Sequence, residues 1–215
     1  MRIQTLGENT VILLLSYDSN SKSVTAVRQL YQLLMDAEIP GILSARPGLD
    51  CLLVEFEDPD VPARLQERLK SFQPSSDAQR APQVTEIPVC YEPEFGTDLD
   101  SVARQTGLSI EQIIHIHSSQ VYQVWMIGFM PGFPYLGELP PELRLPRKSA
   151  PDPKLAAGSV AIAEEFVGVY PFDSPGGWHV LGRTPLQLTD YNRGNPFVFQ
   201  YGMPIQFFPI TKTEF

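Results

Sequence analysis

The sequence predicts an α+β domain followed by a mainly-β barrel domain, on three observations. Apolar residues recur at helical spacing within residues 24–35, 61–72 and 98–117. From Val121 onward, short apolar runs alternate with Gly- and Pro-rich stretches, a pattern typical of a sheet-based domain. Between these parts, residues 73–82 are polar, flanked by Pro and free of periodicity, which predicts a domain boundary.

Residues 1–75 are predicted to form the small α+β domain, in the order strand, strand, helix, strand, strand, helix. Strands are expected at Ile42–Leu43 and Cys51–Phe56, around a turn at Pro47–Asp50. The second helix is expected at Val61–Phe72. The apolar residues placed on the inner faces of the two helices are Val24, Val27, Leu30, Tyr31, Leu34, Met35, Leu65 and Leu69.

Residues 76–83 are predicted to be a linker and residues 84–215 to form the barrel domain. Closure into a barrel is expected because it removes the exposed edges that an open sheet has to protect. The strands predicted for this domain are Val84–Cys90, Val121–Ile127, Ser159–Ala163, Val167–Tyr170, His179–Leu181, Phe197–Gln200 and Ile205–Ile210.

A helical excursion near residues 98–117 interrupts the barrel domain. Two short helices are expected at Asp98–Thr106 and Ser109–His117, and the spacing of Ser109 and Gln112 predicts a capping box. The pair has the outline of a helix-turn-helix or a LysM unit, but its second helix carries no Lys or Arg. A helix that binds the major groove needs cationic contacts to phosphate, so we interpret the pair as packing against the barrel.

Composition and charge narrow the class of partner. The 215 residues are 43% hydrophobic, which is enough for a proper core, and carry a formal net charge of -9. A negative surface repels nucleic acid and anionic membranes, so proteins or small molecules are the expected partners. The apolar run Val11–Leu15 is too short for a signal sequence or a membrane span. Cys51 and Cys90 lie far apart in apolar runs, which predicts buried thiols and a cytoplasmic location.

Two runs dense in Gly, Pro and aromatic residues, Gly128–Leu136 and Ser174–Pro185, are predicted to be shaped loops. Pro removes a backbone donor and Gly offers no side chain to pack, so regular central strand is not expected in them. Loops of this kind carry binding sites on rigid scaffolds. The aromatic residues predicted to form an interface are Phe129, Phe133, Tyr135 and Trp178.

Four polar residues are candidates for a site, each with a structural alternative. His117 ends a predicted helix and either binds the last carbonyls or faces a pocket. Ser159 opens a strand and either faces a ligand or, the favoured alternative, bonds nearby backbone. Arg147 and Arg183 lie next to Pro, where each suits a ligand carboxylate or a neighbouring acidic side chain.

Several chemistries find no support in the sequence. There is no phosphate-binding Gly-rich loop ending in Lys-Ser or Lys-Thr and no Gly-x-Ser-x-Gly motif. His115 and His117 are two residues apart, which places them on different faces of a helix and disfavours a metal site. No residue is assigned as catalytic.

Several motifs in a fixed order carry a family resemblance: Gly128–Leu136, Pro146–Arg147, Ala157–Val160, Gly168–Pro171, Ser174–Trp178 and Gly182–Pro185. Together they resemble the allophanate hydrolase subunit 1 family, also called the carboxyltransferase C/D-subdomain family. This family includes the B-type subunit of bacterial 5-oxoprolinase and the sporulation kinase inhibitor KipI. The resemblance covers essentially the whole chain and implies a small N-terminal α+β domain with a C-terminal cyclophilin-like barrel.

The resemblance implies ATP-dependent opening of 5-oxoproline to glutamate, together with a subunit-C homologue and a LamB/YcsF-type subunit. ATP would belong to the assembled complex, and the site would be shared across a protein interface. The alternative is KipI-like inhibition of a sensor histidine kinase; prolyl isomerisation is a third and weaker option, since fold alone does not carry activity. The residues predicted to contact substrate are His117, Arg147, Ser159, Tyr170, Gly176, Gly177 and Arg183.

Four positions depart from the pattern that the resemblance implies. Asp152 stands where an Arg is usual, Ala156 where Pro is usual, Phe166 where Gln is usual, and Met203 where Asp is usual. Replacing Arg by Asp inverts a charge, and replacing Gln by Phe removes amide donors and an acceptor. If these side chains contact substrate, we expect altered specificity or lost chemistry.

Overall fold

The computed structural model describes residues 2–15, 17, 20–70, 72–74 and 83–215. The chain divides into two compact units, residues 1–80 and 81–215. The predicted linker at residues 76–83 lies outside the described residues except for Gln83, and the predicted domain bounds stay a prediction. None of the helices in the described ranges is long and apolar enough to cross a membrane.

The first unit has four strands and two helices in the predicted order: β1 (Arg2–Thr5), β2 (Thr10–Leu14), α1 (Asn20–Asp36), β3 (Ile42–Pro47), β4 (Cys51–Phe56) and α2 (Val61–Leu69). The strands form an antiparallel sheet in the order β1-β2-β4-β3. Burial alternates along β2 and β4 because successive strand residues point to opposite faces. The inward residues share one hydrophobic core with both helices.

The helices of the first unit differ from prediction at their ends. Met35, in the last turn of α1, continues the apolar spacing but is 38% exposed; Tyr31 is half-buried. Helix α2 ends at Leu69, short of Phe72, and the N–H of Lys70 bonds three residues back, which tightens the last turn. The residues whose predicted burial is confirmed are Val24, Val27, Leu30, Leu34, Leu65 and Leu69.

The second unit contains β5 (Thr85–Cys90), α3 (Leu99–Thr106), α4 (Ile110–Ser118), β6 (Val121–Ile127), β7 (Pro134–Gly137), β8 (Asp152–Leu155), β9 (Ser159–Ala163), β10 (Phe166–Val169), β11 (Ser174–Gly176), β12 (His179–Arg183) and β13 (Pro204–Ile210). Seven strands close into a barrel in the order β10-β7-β6-β13-β5-β12-β9, as predicted. Strands β5 and β13 run parallel, and the other barrel pairs are antiparallel. Strands β8 and β11 pair separately.

The predicted helical excursion and its capping box are confirmed. Ser109 Oγ accepts a hydrogen bond from Gln112 N–H at 3.2 Å, and Gln112 Oε1 accepts one from Ser109 N–H at 2.8 Å. Helix α3 ends at Gly107, whose φ of 74° is the left-handed conformation that Gly adopts without strain. Buried Val102 and Ile113 belong to the core of the barrel, so the helices pack against it.

One predicted strand is wrong. Residues Phe197–Gln200 are not a strand of the barrel, and Phe197 makes an isolated bridge with Thr189. The side-chain oxygen of Asn195 accepts from the N–H of Phe197 at 3.1 Å, so a local turn takes a donor that a strand ladder would need.

The Gly- and Pro-rich runs also hold more strand than predicted. β7 lies inside the first run and is a central barrel strand between β6 and β10; β11 lies inside the second. Pro134 is tolerated because it is the first residue of β7. Gly137 is required there because a Cβ would lie 2.4 Å from the ring of Trp125, so the neighbouring ring fills the space that a side chain would take.

Candidate functional site

The two Gly- and Pro-rich runs meet at a cleft of about 230 Å³ in the barrel unit, which we call the aromatic cleft. It lies between the turn that precedes β7, β7 itself, the residue after β10, and the segment from β11 to β12. It brings together all four predicted interface residues and four of the predicted substrate contacts. Its lining residues are Phe129, Phe133, Tyr135, Arg147, Pro151, Tyr170, Pro175, Gly176, Gly177 and Trp178.

Phe133 is the centre of the aromatic wall. Its ring makes edge-to-face contacts with Tyr135 and Tyr170 at 5.1 Å and with Trp178 at 5.6 Å between ring centres. This geometry is the favoured one for aromatic pairs. Phe133 is 1% exposed and Trp178 is 5% exposed, so the wall is fixed by packing before any ligand arrives.

Phe129 stands at the rim of the cleft. Its ring meets Phe133 edge-to-face at 5.5 Å, yet the residue is 64% exposed. Its φ of 67° is left-handed, which is costly for a bulky side chain. The turn is held because Gly128 N–H donates to Phe133 O at 3.1 Å. The backbone thus presents an apolar ring to solvent at the mouth of the cleft.

The polar groups inside the cleft are suited to hydrogen bonding. Burial raises the pKa of Tyr170 to about 12 and raises the pKa of Tyr135, so both phenols stay neutral near pH 7. A neutral phenol donates one hydrogen bond and accepts others. The carbonyl of Gly177 accepts from Lys148 N–H at 2.7 Å, which fixes the loop that carries Gly177.

Arg147 is the cation of the cleft. Its Nε lies 3.3 Å from Glu164 Oε1, in a pair whose side chains are 56% and 51% exposed. The backbone on both sides of Arg147 is held: Pro146 O accepts from the ring of His179 at 2.9 Å, and Lys148 N–H donates to Gly177. The guanidinium therefore projects from a fixed segment and already binds one carboxylate, which solvent can replace at modest cost.

Lys148 anchors the same segment from behind. Its ammonium donates to Asp98 Oδ2 at 2.8 Å and to Asp152, and it is only 14% exposed. Burial alone would lower the pKa of Lys148, but the hydrogen bonds to both carboxylates outweigh it and the pKa is raised. Asp98 Oδ2 also accepts from Val180 N–H at 2.7 Å, which ties the start of α3 to β12.

His117 does not line the cleft, and its predicted place beside a ligand is corrected. It is fully buried in the barrel core, where Nδ1 lies 2.8 Å from the hydroxyl of Tyr91 and the ring stacks on Phe207 at 4.8 Å. Burial lowers the pKa of His117 to about 3. Helix α4 carries His117 on the face that packs against the barrel core. With this lowered pKa, His117 is a neutral core residue near pH 7.

Ser159 and Arg183 also lie outside the aromatic cleft. Ser159 Oγ donates to Ala156 O at 2.7 Å, so the hydroxyl makes the local backbone bond. Arg183 lines a different cleft, where its Nε donates to Ala157 O at 2.8 Å. The predicted single pocket therefore separates into one ligand cleft with Arg147 and a second cleft with Arg183.

Comparison with known proteins places the chain in a family. The family model "Carboxyltransferase domain, subdomain C and D" matches residues 1–199. The chain belongs to this family. It is 39% identical to the B-type subunit of 5-oxoprolinase from Escherichia coli O157:H7, over 97% of this chain and 95% of that one. The B-type subunit of 5-oxoprolinase from Bacillus subtilis (strain 168) is 33% identical over 100% of this chain and 95% of that one.

A solved structure extends the comparison to the fold. TTHA0988 superposes with a TM-score of 0.80 at 36% identity, over 94% of this chain. This chain spans only 40% of the length of TTHA0988, although it spans nearly all of the two 5-oxoprolinase relatives.

Three of the four positions predicted to depart from the family pattern make local contacts in this chain. Asp152 binds Lys148, and the carbonyl of Ala156 accepts from Ser159. Phe166 is 6% exposed and packs edge-to-face on Tyr135 at 5.8 Å, behind the cleft rather than in it. Neither Asp152 nor Phe166 lines the aromatic cleft.

The sequence did not indicate Asp98, Glu164, Lys148 or His179 as supports of the site. The sequence indicated Asp98 only as the start of a helix. Glu164 stands out in the sequence only as one of two adjacent acidic residues, which lie at a turn. Among the described residues, no cluster of three or more His, Cys, Asp or Glu side chains is placed to hold a metal ion.

Proposed function

We propose that this chain is the B-type subunit of a 5-oxoprolinase and that the aromatic cleft binds the substrate. The family match and the relatives of that name, which align over nearly the whole chain, support the first part of this proposal. The residues of the cleft support the assignment of the substrate to it.

One observation carries the proposal: Arg147 holds a carboxylate at the mouth of a cleft walled by aromatic rings. The substrate, 5-oxoproline, is a five-membered lactam ring with one carboxylate. We expect its carboxylate to displace Glu164 from Arg147, since the existing pair is half-exposed and weakly held. The ring would then lie against Phe133 and Trp178, with the lactam within reach of neutral phenols.

In this proposal the chain supplies binding and orientation rather than the complete chemistry. The ionisable side chains that line the cleft are Arg147, Tyr135 and Tyr170, and the raised pKa values of the two phenols make them poor bases near pH 7. Breaking the lactam C–N bond consumes one water, and hydrolysis of ATP to ADP and phosphate consumes another. We assign the ATP site and the base to the partner proteins, a subunit-C homologue and a LamB/YcsF-type subunit.

The test is reconstitution of the complex. This chain, co-purified with a subunit-C homologue and a LamB/YcsF-type subunit, is expected to convert 5-oxoproline to glutamate in the presence of ATP. Arg147→Gln is expected to raise KM about tenfold or more, because it removes a charge-assisted pair to the substrate. Arg144→Gln is the matched control, since Arg144 lies on the same segment but outside the cleft. Absence of glutamate with partners that are active alongside another B-type relative would contradict the proposal.

A second candidate, inhibition of a sensor histidine kinase, is favoured by one feature, the exposed ring of Phe129. An aromatic side chain held out to solvent is typical of a protein contact. In this case, stoichiometric protein would block autophosphorylation of the kinase, and Phe129→Ala would relieve the block. An unchanged rate of autophosphorylation with the wild-type chain would exclude the regulatory role for that kinase.

A further inference from the structure

A second cleft of about 310 Å³ lies around Arg183 in the barrel unit, and we call it the Arg183 cleft. It adjoins the aromatic cleft at consecutive residues, because Tyr170 lines one and Pro171 lines the other. Its lining residues are Ala157, Gly158, Pro171, Arg183, Thr184, Pro185, Leu186, Gln187, Leu188, Thr189 and Phe215.

The side chain of Arg183 is held in place before any ligand binds. Its Nε donates to Ala157 O at 2.8 Å, and its guanidinium carbon lies 5.8 Å from the centre of the Phe215 ring. Gly158 makes room for it: φ is +85° there, and a Cβ would lie 2.5 Å from Thr184 O and 3.3 Å from Arg183 Cγ. A fixed guanidinium loses little entropy when it forms further hydrogen bonds.

Arg183 forms no ion pair with any of the described residues. The two terminal nitrogens of its guanidinium therefore have no acidic partner in that part of the chain. Asp173 is instead engaged by Lys154 at 2.9 Å and by Ala157 N–H at 2.9 Å; these two hydrogen bonds lower the pKa of Asp173, and the charge of Arg183 adds only a smaller effect. In a chain of net charge -9, a half-buried arginine without a carboxylate leaves an unmatched positive site.

Polar groups around the guanidinium add a donor. Thr184 is 2% exposed, and its Oγ1 accepts from Leu186 N–H at 3.3 Å, so its own proton remains for an acceptor in the cleft. The side-chain NH₂ of Gln187 donates to Thr189 O at 3.1 Å. The guanidinium terminus of Arg183 and the hydroxyl of Thr184 are therefore the donors available to a ligand that brings acceptor oxygens.

We propose that the Arg183 cleft binds a small oxyanion, a phosphate or carboxylate group, through Arg183 and Thr184. The guanidinium offers two parallel N–H donors, which match the spacing of two oxygens on either group. This site is distinct from the aromatic cleft, so it does not depend on the function proposed for that cleft.

The test is titration of the ¹⁵N-labelled full-length chain with inorganic phosphate, with ionic strength held constant by chloride. We expect saturable shifts of the amides of Gly158, Thr184 and Gln187. Arg183→Gln is expected to weaken phosphate binding about tenfold or more, since it removes the charged donor pair. Arg144→Gln is expected to leave binding unchanged: Arg144 also donates its Nε to a backbone carbonyl, that of Leu139, but lies outside both clefts.

A parallel titration with acetate distinguishes a carboxylate ligand from a phosphate ligand. Saturable shifts of the amides of Gly158, Thr184 and Gln187 with either anion support the site. Arg183→Lys keeps the positive charge but loses the two parallel N–H donors of the guanidinium, so we expect it to weaken phosphate binding about threefold. This variant tests the site even if Arg183→Gln folds poorly. Equal phosphate affinity in wild type and Arg183→Lys, or shifts that do not saturate for either anion, would overturn the proposal.

Discussion

The aromatic cleft and the core around His117 have similar residues but differ in their exposure to solvent. Each surrounds one nitrogen-bearing side chain with aromatic rings: Arg147 beside Tyr135 and Tyr170, and His117 beside Tyr91 and Phe207. Arg147 is 56% exposed and pairs with Glu164, whereas His117 is fully buried and neutral near pH 7. The difference illustrates that exposure leaves a polar group accessible from solvent, whereas burial limits it to its neighbours in the core.

The largest effect is expected at Phe133, which belongs to both the core and the cleft. Phe133→Ala should lower the free energy of unfolding by about 3–5 kcal/mol, because it leaves a cavity beneath four aromatic neighbours. Tryptophan fluorescence is a suitable measurement, since Trp125 and Trp178 both lie in the barrel unit. A loss below about 1 kcal/mol would mean that the wall is not built around Phe133.

The second-largest effect on the free energy of unfolding is expected at Lys148. Without its ammonium, the carboxylates of Asp98 and Asp152 would face each other unpaired. Lys148→Met should lower the free energy of unfolding by about 2 kcal/mol, since hydrogen bonds to charged groups contribute most when they are shielded from water. Lys154→Met is the control: the side chains of Lys154 and Asp173 are 71% and 51% exposed, so the loss of this pair should have a much smaller effect on the free energy of unfolding. Equal effects in the two variants would contradict the role of Lys148.

The core histidine predicts a pH dependence that the cleft does not share. The pKa of His117 is about 3 in the folded chain and about 6.5 when unfolded, so the unfolded chain binds the proton first. Stability is retained above pH 6.5 and lost as pH falls, by about 2 kcal/mol between pH 6.5 and 5.

The measurement is chemical unfolding at both pH values in matched variants. His117→Phe should lose the part of the pH dependence that comes from His117, because the phenyl ring has no nitrogen that can bind a proton. His115→Gln should keep it, since His115 is exposed on the same helix. If His117→Phe retains the full slope, the ring is not a buried neutral group.

The smallest effect on stability is expected at the rim. Phe129→Ala and Glu164→Gln should each change the free energy of unfolding by about 0.5 kcal/mol or less, because both side chains are more than half exposed. Glu164→Gln should nevertheless tighten binding of 5-oxoproline, by removing the carboxylate that competes for Arg147. Isothermal titration calorimetry against Glu142→Gln, which makes the same charge change outside the cleft, checks this expectation. Weaker binding in Glu164→Gln would contradict displacement.

Local signals predicted most of the fold. The capping box at Ser109, the alternation in β4 and the closed barrel all followed from spacing that the structure confirms. The wrong strand at Phe197 has a local cause in the turn at Asn195, whereas β7 was missed because spacing does not report neighbours distant in sequence. β7 is a central strand because Gly137 accommodates Trp125, and no local pattern around Gly137 shows that ring.

The sequence indicated several residues that line the aromatic cleft, but not where each of them lies, and their roles in binding stay a prediction. The aromatic residues and Arg147 were found because unusual loops concentrate them. His117 was misplaced because a residue at a helix end faces either core or solvent, and sequence alone does not reveal which. Arg183 was grouped with Arg147 on residue type, although β12 delivers its side chain to a separate cleft.

The parallel pairing of β5 with β13 has a consequence for how the chain folds during synthesis. Residues 85–90 pair with residues 205–210, so the barrel stays open until residues 205–210 have left the ribosome. The first unit joins neighbouring segments and is able to fold earlier. Until β13 arrives, the backbone N–H and C=O groups of β5 that face it are unpaired, and an unpaired strand edge favours aggregation of the nascent protein.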